Sequence, residues 1–117
     1  MAAPRFERAL IVGAGSGLSA SLARLFAREG LQVALAARNT DKLADLARET
    51  GASTFACDAS DAAQAARLFD DVAARIGDPD VVVYNASGRS RGPVAELVPA
   101  EVERAIAVSA FGCFLIA

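Results

Sequence analysis

These 117 residues read as one α/β domain built on a doubly wound parallel sheet. Three features carry that reading. Four short apolar runs, near residues 8–12, 32–37, 53–57 and 80–84, are almost free of polar interruptions, as strands covered on both faces must be. The segments between them repeat apolar residues every three or four positions, the spacing of helices packed on one side. The first run stops at a glycine cluster, Gly13-Ala14-Gly15-Ser16-Gly17, before the first helical pattern begins.

Taken in order, Leu10-Ile11-Val12 is the first strand, and Leu18, Leu22, Leu25 and Phe26 mark a helix that Gly30 ends from the C′ position. Val33 to Ala37 is a compact second strand. Asn39 or Thr40 is placed to cap a short helix carrying Leu43, Leu46 and Ala47, which Gly51 closes. Ser53 to Cys57 is the third strand, and it leads through Asp58 and Ser60 into a helix whose inner stripe is Ala62, Ala65, Ala66, Phe69, Val72, Ala73 and Ile76. Gly77 and Pro79 terminate that helix. Val81-Val82-Val83-Tyr84 is the fourth strand, followed by a polar loop from Asn85 to Gly92 and a last helix from near Pro99 to the end. The stripe of that last helix is Val102, Ile106, Ser109, Cys113 and Ile116, yet Ala105, Val108, Phe111, Phe114 and Leu115 make its other faces apolar too. A helix apolar all round is normally buried all round. The expectation is a chain truncated after the helix that follows the fourth strand, or a helix buried by a partner subunit, with homo-oligomers forming through it.

Composition narrows the function. Twelve basic against fourteen acidic residues leave a net charge of −2, and eleven of the twelve bases are scattered arginines, so no basic footprint for nucleic acid exists. The absence of histidine removes the commonest metal ligand and general base, which excludes Ser-His-Asp and Cys-His catalysis and leaves no expected metal site. Cys57 and Cys113 form neither a CxxC motif nor a disulfide framework, and both are expected to be small buried hydrophobes in a protein of the reducing cytoplasm. Met1 to Arg8 lacks the apolar stretch of a secretory signal, and the longest apolar tract, Ala105 to Ala117, falls short of the roughly 20 residues that span a membrane.

Chemistry enters at the glycine cluster. Small residues between a buried strand and a helix let backbone N–H groups approach a phosphate, and the helix N-terminus adds roughly half a positive charge. Gly15-Ser16-Gly17-Leu18-Ser19-Ala20 fits the G-x-G-x-x-A form of the dinucleotide fingerprint in the required place, so the fold is expected to be of Rossmann type and the amides of residues 13 to 18 to hold a pyrophosphate. The alternative is that the glycines only allow close helix–strand packing. A phosphate-loop NTPase needs a lysine before Ser or Thr, and the sole lysine is Lys42, far downstream. At the end of the second strand, where a carboxylate would bind the ribose hydroxyls of NAD, stand Ala37 and Arg38. A guanidinium there offers a 2′-phosphate charge-assisted hydrogen bonds worth roughly 1.5–3 kcal/mol, a ten- to hundred-fold preference for NADP(H) over NAD(H). The plain alternative is a solvated arginine.

Together these residues resemble the short-chain dehydrogenase/reductase family over nearly the whole chain, which corresponds to the N-terminal half of a usual member. Val12-Gly13-Ala14-Gly15-Ser16-Gly17-Leu18-Ser19 follows the family's T-G-x-x-x-G-x-G, with Val12 for threonine and Ser19 for the last glycine. Cys57-Asp58-Ala59 is similar to the strand-end aspartate segment beside the adenine, and Tyr84-Asn85-Ala86-Ser87-Gly88 to the N-N-A-G segment beside the cofactor. The resemblance implies cofactor contacts from Gly13, Gly15, Ser16, Gly17, Leu18, Arg38, Asp58, Ala59, Asn85, Ala86 and Ser87. An aspartate after a strand is also a common turn former, and Arg89 and Arg91 read as solvated loop residues. Asn85 reaches the glycine loop only if the first and fourth strands are neighbours, which would place the ligand crevice there.

The resemblance implies an oxidoreductase passing hydride between nicotinamide and a small carbonyl or alcohol substrate, with catalysis by an asparagine, a serine and a Tyr-x-x-x-Lys. Ser109 falls at the asparagine position, which weakens transfer of its role, and the only tyrosine and lysine, Tyr84 and Lys42, are not four residues apart. The competing reading is a non-catalytic NADP(H)-binding or sensing module. Ala37-Arg38 argues against a methyltransferase, which usually wants an acid at that strand end.

Overall fold

The structure, a computed structural model, describes residues 5–117; residues 1–4 of the charged N-terminal stretch lie outside it. Strand β1 (Arg8–Val12) leads into helix α1 (Leu18–Arg28), β2 (Gln32–Ala37), a 3₁₀ turn (Asp41–Leu43), α2 (Ala44–Thr50), β3 (Ser53–Ala56), α3 (Ala62–Ile76) and β4 (Val81–Tyr84). A second 3₁₀ turn (Val94–Glu96) precedes α4 (Pro99–Ile106), which continues through a π turn (Ala107–Phe111) into α5 (Gly112–Ile116). The four strands form one parallel sheet in the order β3-β2-β1-β4. This is the doubly wound Rossmann-type arrangement, and β1 and β4 are neighbours, with Val12 opposite Tyr84.

Alternation along the strands divides the core into two layers. Leu10, Val12, Ala34 and Ala36 face Ala65, Leu68 and Val72 of α3 and Ile116 of α5. Ile11, Val33, Leu35 and Ala37 face Ala20 and Ala23 of α1 together with Leu43 and Leu46. The small residues of α1 let its backbone lie close to the sheet. Asp80 fastens the entry of β1, its carboxylate accepting the Glu7 and Arg8 amides at 2.7 and 3.0 Å.

Several local expectations change. In α1, Leu18 and Leu25 are exposed and the inner face belongs to Ser19, Ala20 and Ala23, with Leu22 and Phe26 packed beside them. In α3, Ala62 and Ala66 are exposed, and Leu68, absent from the expected stripe, is buried. That helix is capped by Asp61, whose carboxylate accepts the Gln64 amide at 3.0 Å. Asn39 does accept the Asp41 amide, but through a 3₁₀ turn that precedes α2 rather than at the start of the helix proper. Cys113 is exposed, not buried like Cys57.

The last helical rod departs most from a 3.6-residue pattern. Ile106, Ser109 and Cys113 of the expected stripe are exposed; Ile116 is buried as expected, and Gly112, outside the stripe, is buried with it. The π turn is the reason. It widens the helix locally, so faces counted from Pro99 shift beyond Ile106, where Gly112 and not Cys113 turns inward; Ile106 itself, before the turn, is exposed on α4. Among the described residues no helix is long and apolar enough to cross a membrane.

Candidate functional site

The glycine loop divides into a structural half and an open half. Gly13 has φ +86°, and a Cβ there would overlap the Ala86 amide and lie 2.7 Å from the Asn85 carbonyl carbon. Only glycine lets the chain pass this close to the end of β4. The Gly13 and Ala14 amides both donate to the Ala36 carbonyl, at 2.9 and 3.0 Å. They therefore belong to the sheet, which removes both from the amides of residues 13 to 18 expected to hold a pyrophosphate; the amides that remain open are those of residues 15–19. Those five amides have no hydrogen-bond partner among the described residues. A Cβ on Gly15 or Gly17 would meet nothing within 4 Å, so close helix–strand packing explains Gly13 and not these two. They keep open the approach to the first turn of α1, beside Ser16 and Leu18, both exposed.

Ser19 joins the loop to β4. Its side chain is buried, its hydroxyl donates to the Gly13 carbonyl at 3.2 Å, and it accepts from Nδ2 of Asn85 at 2.9 Å. The Asn85 amide extends the β1–β4 ladder to the Val12 carbonyl at 2.8 Å. Asn85 is thereby held beside the glycine loop, as strand order β1-β4 requires. Ser19, read from the sequence only as a departure from a glycine, is the residue that makes the connection.

A crevice of about 390 Å³ runs along the C-terminal ends of the strands. Gly13, Arg38, Asp58, Ala59, Asn85, Ala86 and Ser87 line it, seven of the residues singled out from the sequence. Gly15, Ser16, Gly17 and Leu18 are not in its lining. Asn39, Lys42 and Val108 are, and sequence reasoning missed them. Lys42 had one signal: it is the sole lysine, in the first turn after β2, where the helix macrodipole gives a cation no local reason to be.

Asp58 serves two ends at once. One carboxylate oxygen accepts the Ser60 hydroxyl at 2.6 Å and its amide at 3.0 Å, so the turn-forming role is real. The other lies 3.9 Å from Arg104. The Ser60 hydroxyl, followed by the Ser60 amide, Arg104 and Arg38, outweighs partial burial and holds the acid below its ordinary 3.8. It is a carboxylate at neutral pH. Its own amide is fixed by Gln64 Oε1 at 2.8 Å.

Beside the crevice, the Tyr84 hydroxyl donates to the carbonyl of Val108, a lining residue in the π turn. Burial raises the Tyr84 pKa, with smaller contributions from Cys113, Asp58 and Cys57, so the phenol stays protonated. Ser109 Oγ accepts the Gly88 amide at 3.0 Å and donates to the Gly88 carbonyl at 3.2 Å. Its hydroxyl pins the loop leaving β4. Arg89 and Arg91 are exposed in that loop.

The family model described as short chain dehydrogenase matches residues 7–117. The chain belongs to the short-chain dehydrogenase family. It is 33% identical over 112 residues to D-threitol dehydrogenase of Mycolicibacterium smegmatis, a match covering 92% of this chain and 43% of that enzyme. A metagenomic short-chain oxidoreductase solved in complex with NADP superposes with a TM-score of 0.87 at 34% identity, over 94% of this chain and 52% of that one. An actinorhodin polyketide ketoreductase with NADPH does so with 0.88 at 32% identity, over 95% and 44%. The chain thus spans about half the length of the short-chain dehydrogenases it matches.

Proposed function

We propose that this chain is the cofactor-binding half of an NADP(H)-dependent short-chain oxidoreductase, acting on a small carbonyl or alcohol substrate. The observation that carries the reading is Arg38 in the crevice at the end of β2, with no carboxylate beside it on that strand and no ion-pair partner among the described residues. The amides of residues 15–19 fit a pyrophosphate, being unbonded and reached past Gly15 and Gly17. Asp58 and Ala59 line the β3 side where the adenine would lie, and Asn85, Ala86 and Ser87 the β4 side toward the nicotinamide. When bound, the nicotinamide supplies or accepts the hydride; the protein supplies orientation. The ketoreductase and the metagenomic oxidoreductase, both solved with an NADP-type cofactor, support the same reading. A small-molecule substrate, a cytoplasmic location and assembly through the last helical rod belong to the proposal.

A second reading, a non-catalytic NADP(H)-sensing module, is favoured by Ser109, whose hydroxyl is tied to Gly88 at the position where the family pattern has asparagine. Tyr84 and Lys42, the only tyrosine and lysine of the 117 residues, do not form an acid/base pair, since the phenol is bound to Val108. Fluorescence titration with nucleotide tests the cofactor claim: NADPH is expected to bind ten- to hundred-fold tighter than NADH, and Arg38→Ala to remove the difference. Equal affinity, or binding of S-adenosylmethionine instead, overturns it. Turnover of NADPH with carbonyl substrates by the whole native polypeptide separates enzyme from sensor.

A further inference from the structure

The segment leaving β4 is fastened at both ends to successive residues of the π turn. Tyr84, the last residue of β4, donates its hydroxyl to the Val108 carbonyl. Four residues on, the Gly88 amide and carbonyl both bond the Ser109 hydroxyl, at 3.0 and 3.2 Å. Between the two fastenings lie Asn85, Ala86 and Ser87, which line the crevice, and Val108 lines it as well. The strand does not need the phenol. Tyr84 is already held opposite Val12 in the sheet, and the Asn85 amide donates to the Val12 carbonyl at 2.8 Å. The ring packs on the core layer that holds Cys57, Ala59 and Ile116, and its hydroxyl has room because a Cβ at residue 112, which would overlap it, is missing. Farther along, a Cβ at Gly88 would lie 2.7 Å from the Ala105 Cα, so the loop and α4 meet backbone to backbone. At the position of Tyr84 the family pattern has an asparagine, which has no phenol to offer.

We infer that Tyr84 is a positioning residue: through its hydroxyl on Val108 it holds the π turn against the β4 exit and so fixes the crevice wall made by Val108 and Asn85 to Ser87. The inference rests on the proposed reading of the crevice as a dinucleotide site, and that wall is the end toward the nicotinamide. It is independent of the choice between NADP(H) and NAD(H). Tyr84 is not in the lining and touches no ligand; it acts by keeping the wall in its binding arrangement. Where only a fraction of molecules hold that arrangement, the apparent dissociation constant rises by the inverse of the fraction. The adenosine half, at Arg38 and Asp58 across β1, does not feel the change.

The test is a set of titrations of NADPH, NADH and adenosine 2′,5′-bisphosphate against the unmodified protein, Tyr84→Phe and Tyr84→Leu, with circular dichroism to follow folding. Tyr84→Phe removes the hydroxyl and keeps the ring, and Tyr84→Leu removes the hydroxyl and keeps an apolar side chain. Both are expected to weaken NADPH and NADH alike, about two- to tenfold, and to leave the bisphosphate unchanged. A merely structural role would weaken all three ligands together, and that result overturns the inference. Unchanged affinity for NADPH in Tyr84→Phe also overturns it, while leaving the cofactor reading in place. An unmodified protein that binds none of the three removes both.

Discussion

Gly13 and Ser19 decide whether the site is assembled. A methyl group at Gly13 would collide with backbone, where no rotamer change relieves it, and the positive φ penalises any side chain. Gly13→Ala is expected to cost about 2–4 kcal/mol in denaturant unfolding and to weaken NADPH and NADH alike. Ser19→Ala removes two hydrogen bonds but leaves Asn85 able to turn to water, so about 1 kcal/mol is expected, with a matching loss of both cofactors. Two carboxylates make stability depend on acid. Asp80 is held below its ordinary 3.8 by the Glu7 and Arg8 amides, and Asp58 by Ser60. Both values are lowered by folding, so their contribution is present above about pH 4 and is lost as pH falls through the folded-state values. Urea midpoints measured from pH 7 down to pH 2 should be flat above that point and fall below it, and Asp80→Asn should shrink the acid-induced drop.

Among the elements, the π turn between α4 and α5 is built around Tyr84. Its hydroxyl donates to the Val108 carbonyl within that turn, and fits because residue 112 is glycine. A Cβ at Gly112 would overlap that hydroxyl and lie 3.1 Å from the Ala59 carbonyl. Gly112→Ala should cost about 2 kcal/mol alone and less in a Tyr84→Phe background, a coupling that a double-mutant cycle in denaturant measures directly. None of this was legible in the sequence, because a π turn shifts helical phase without changing composition. The central strands β1 and β2 were legible because burial on both faces leaves unbroken runs such as Val33 to Ala37, whereas the edge strands β3 and β4, also expected to be covered on both faces, are only partly buried. Helix faces were harder: α3 is rich in alanine, so Ala62 and Ala66 matched the period as well as the buried Leu68 did. At the site, Gly13, Arg38, Asp58 and Asn85 lie at strand ends that a pattern can locate. The loss of the Gly13 and Ala14 amides to Ala36, and the arrival of Lys42 in the crevice, depend on a neighbouring strand and a turn that only tertiary structure brings there.

For the molecule as a whole, the centre of the sheet and its β4 edge are unequal. The β2–β1 centre is sealed, while Val82 on edge strand β4 is 41% exposed and Ile106, Phe111 and Phe114 stand in solvent, the two phenylalanines stacked 6.2 Å apart. Exposed apolar side chains of this size, the Phe111–Phe114 pair above all, favour association. Light scattering on the 117-residue chain should therefore give a mass above 12.0 kDa that rises with concentration, and Phe114→Glu should lower it. The account of what the molecule does rests on the unbonded amides at the start of α1. Backbone amide NMR during titration with NADP⁺ tests them most directly. The largest shifts should fall on residues 15–19 and on Arg38, with Gly13 and Ala14 moving less because Ala36 holds them. Shifts confined to other surfaces, or none at saturating nucleotide, would contradict the assignment of this crevice to a dinucleotide.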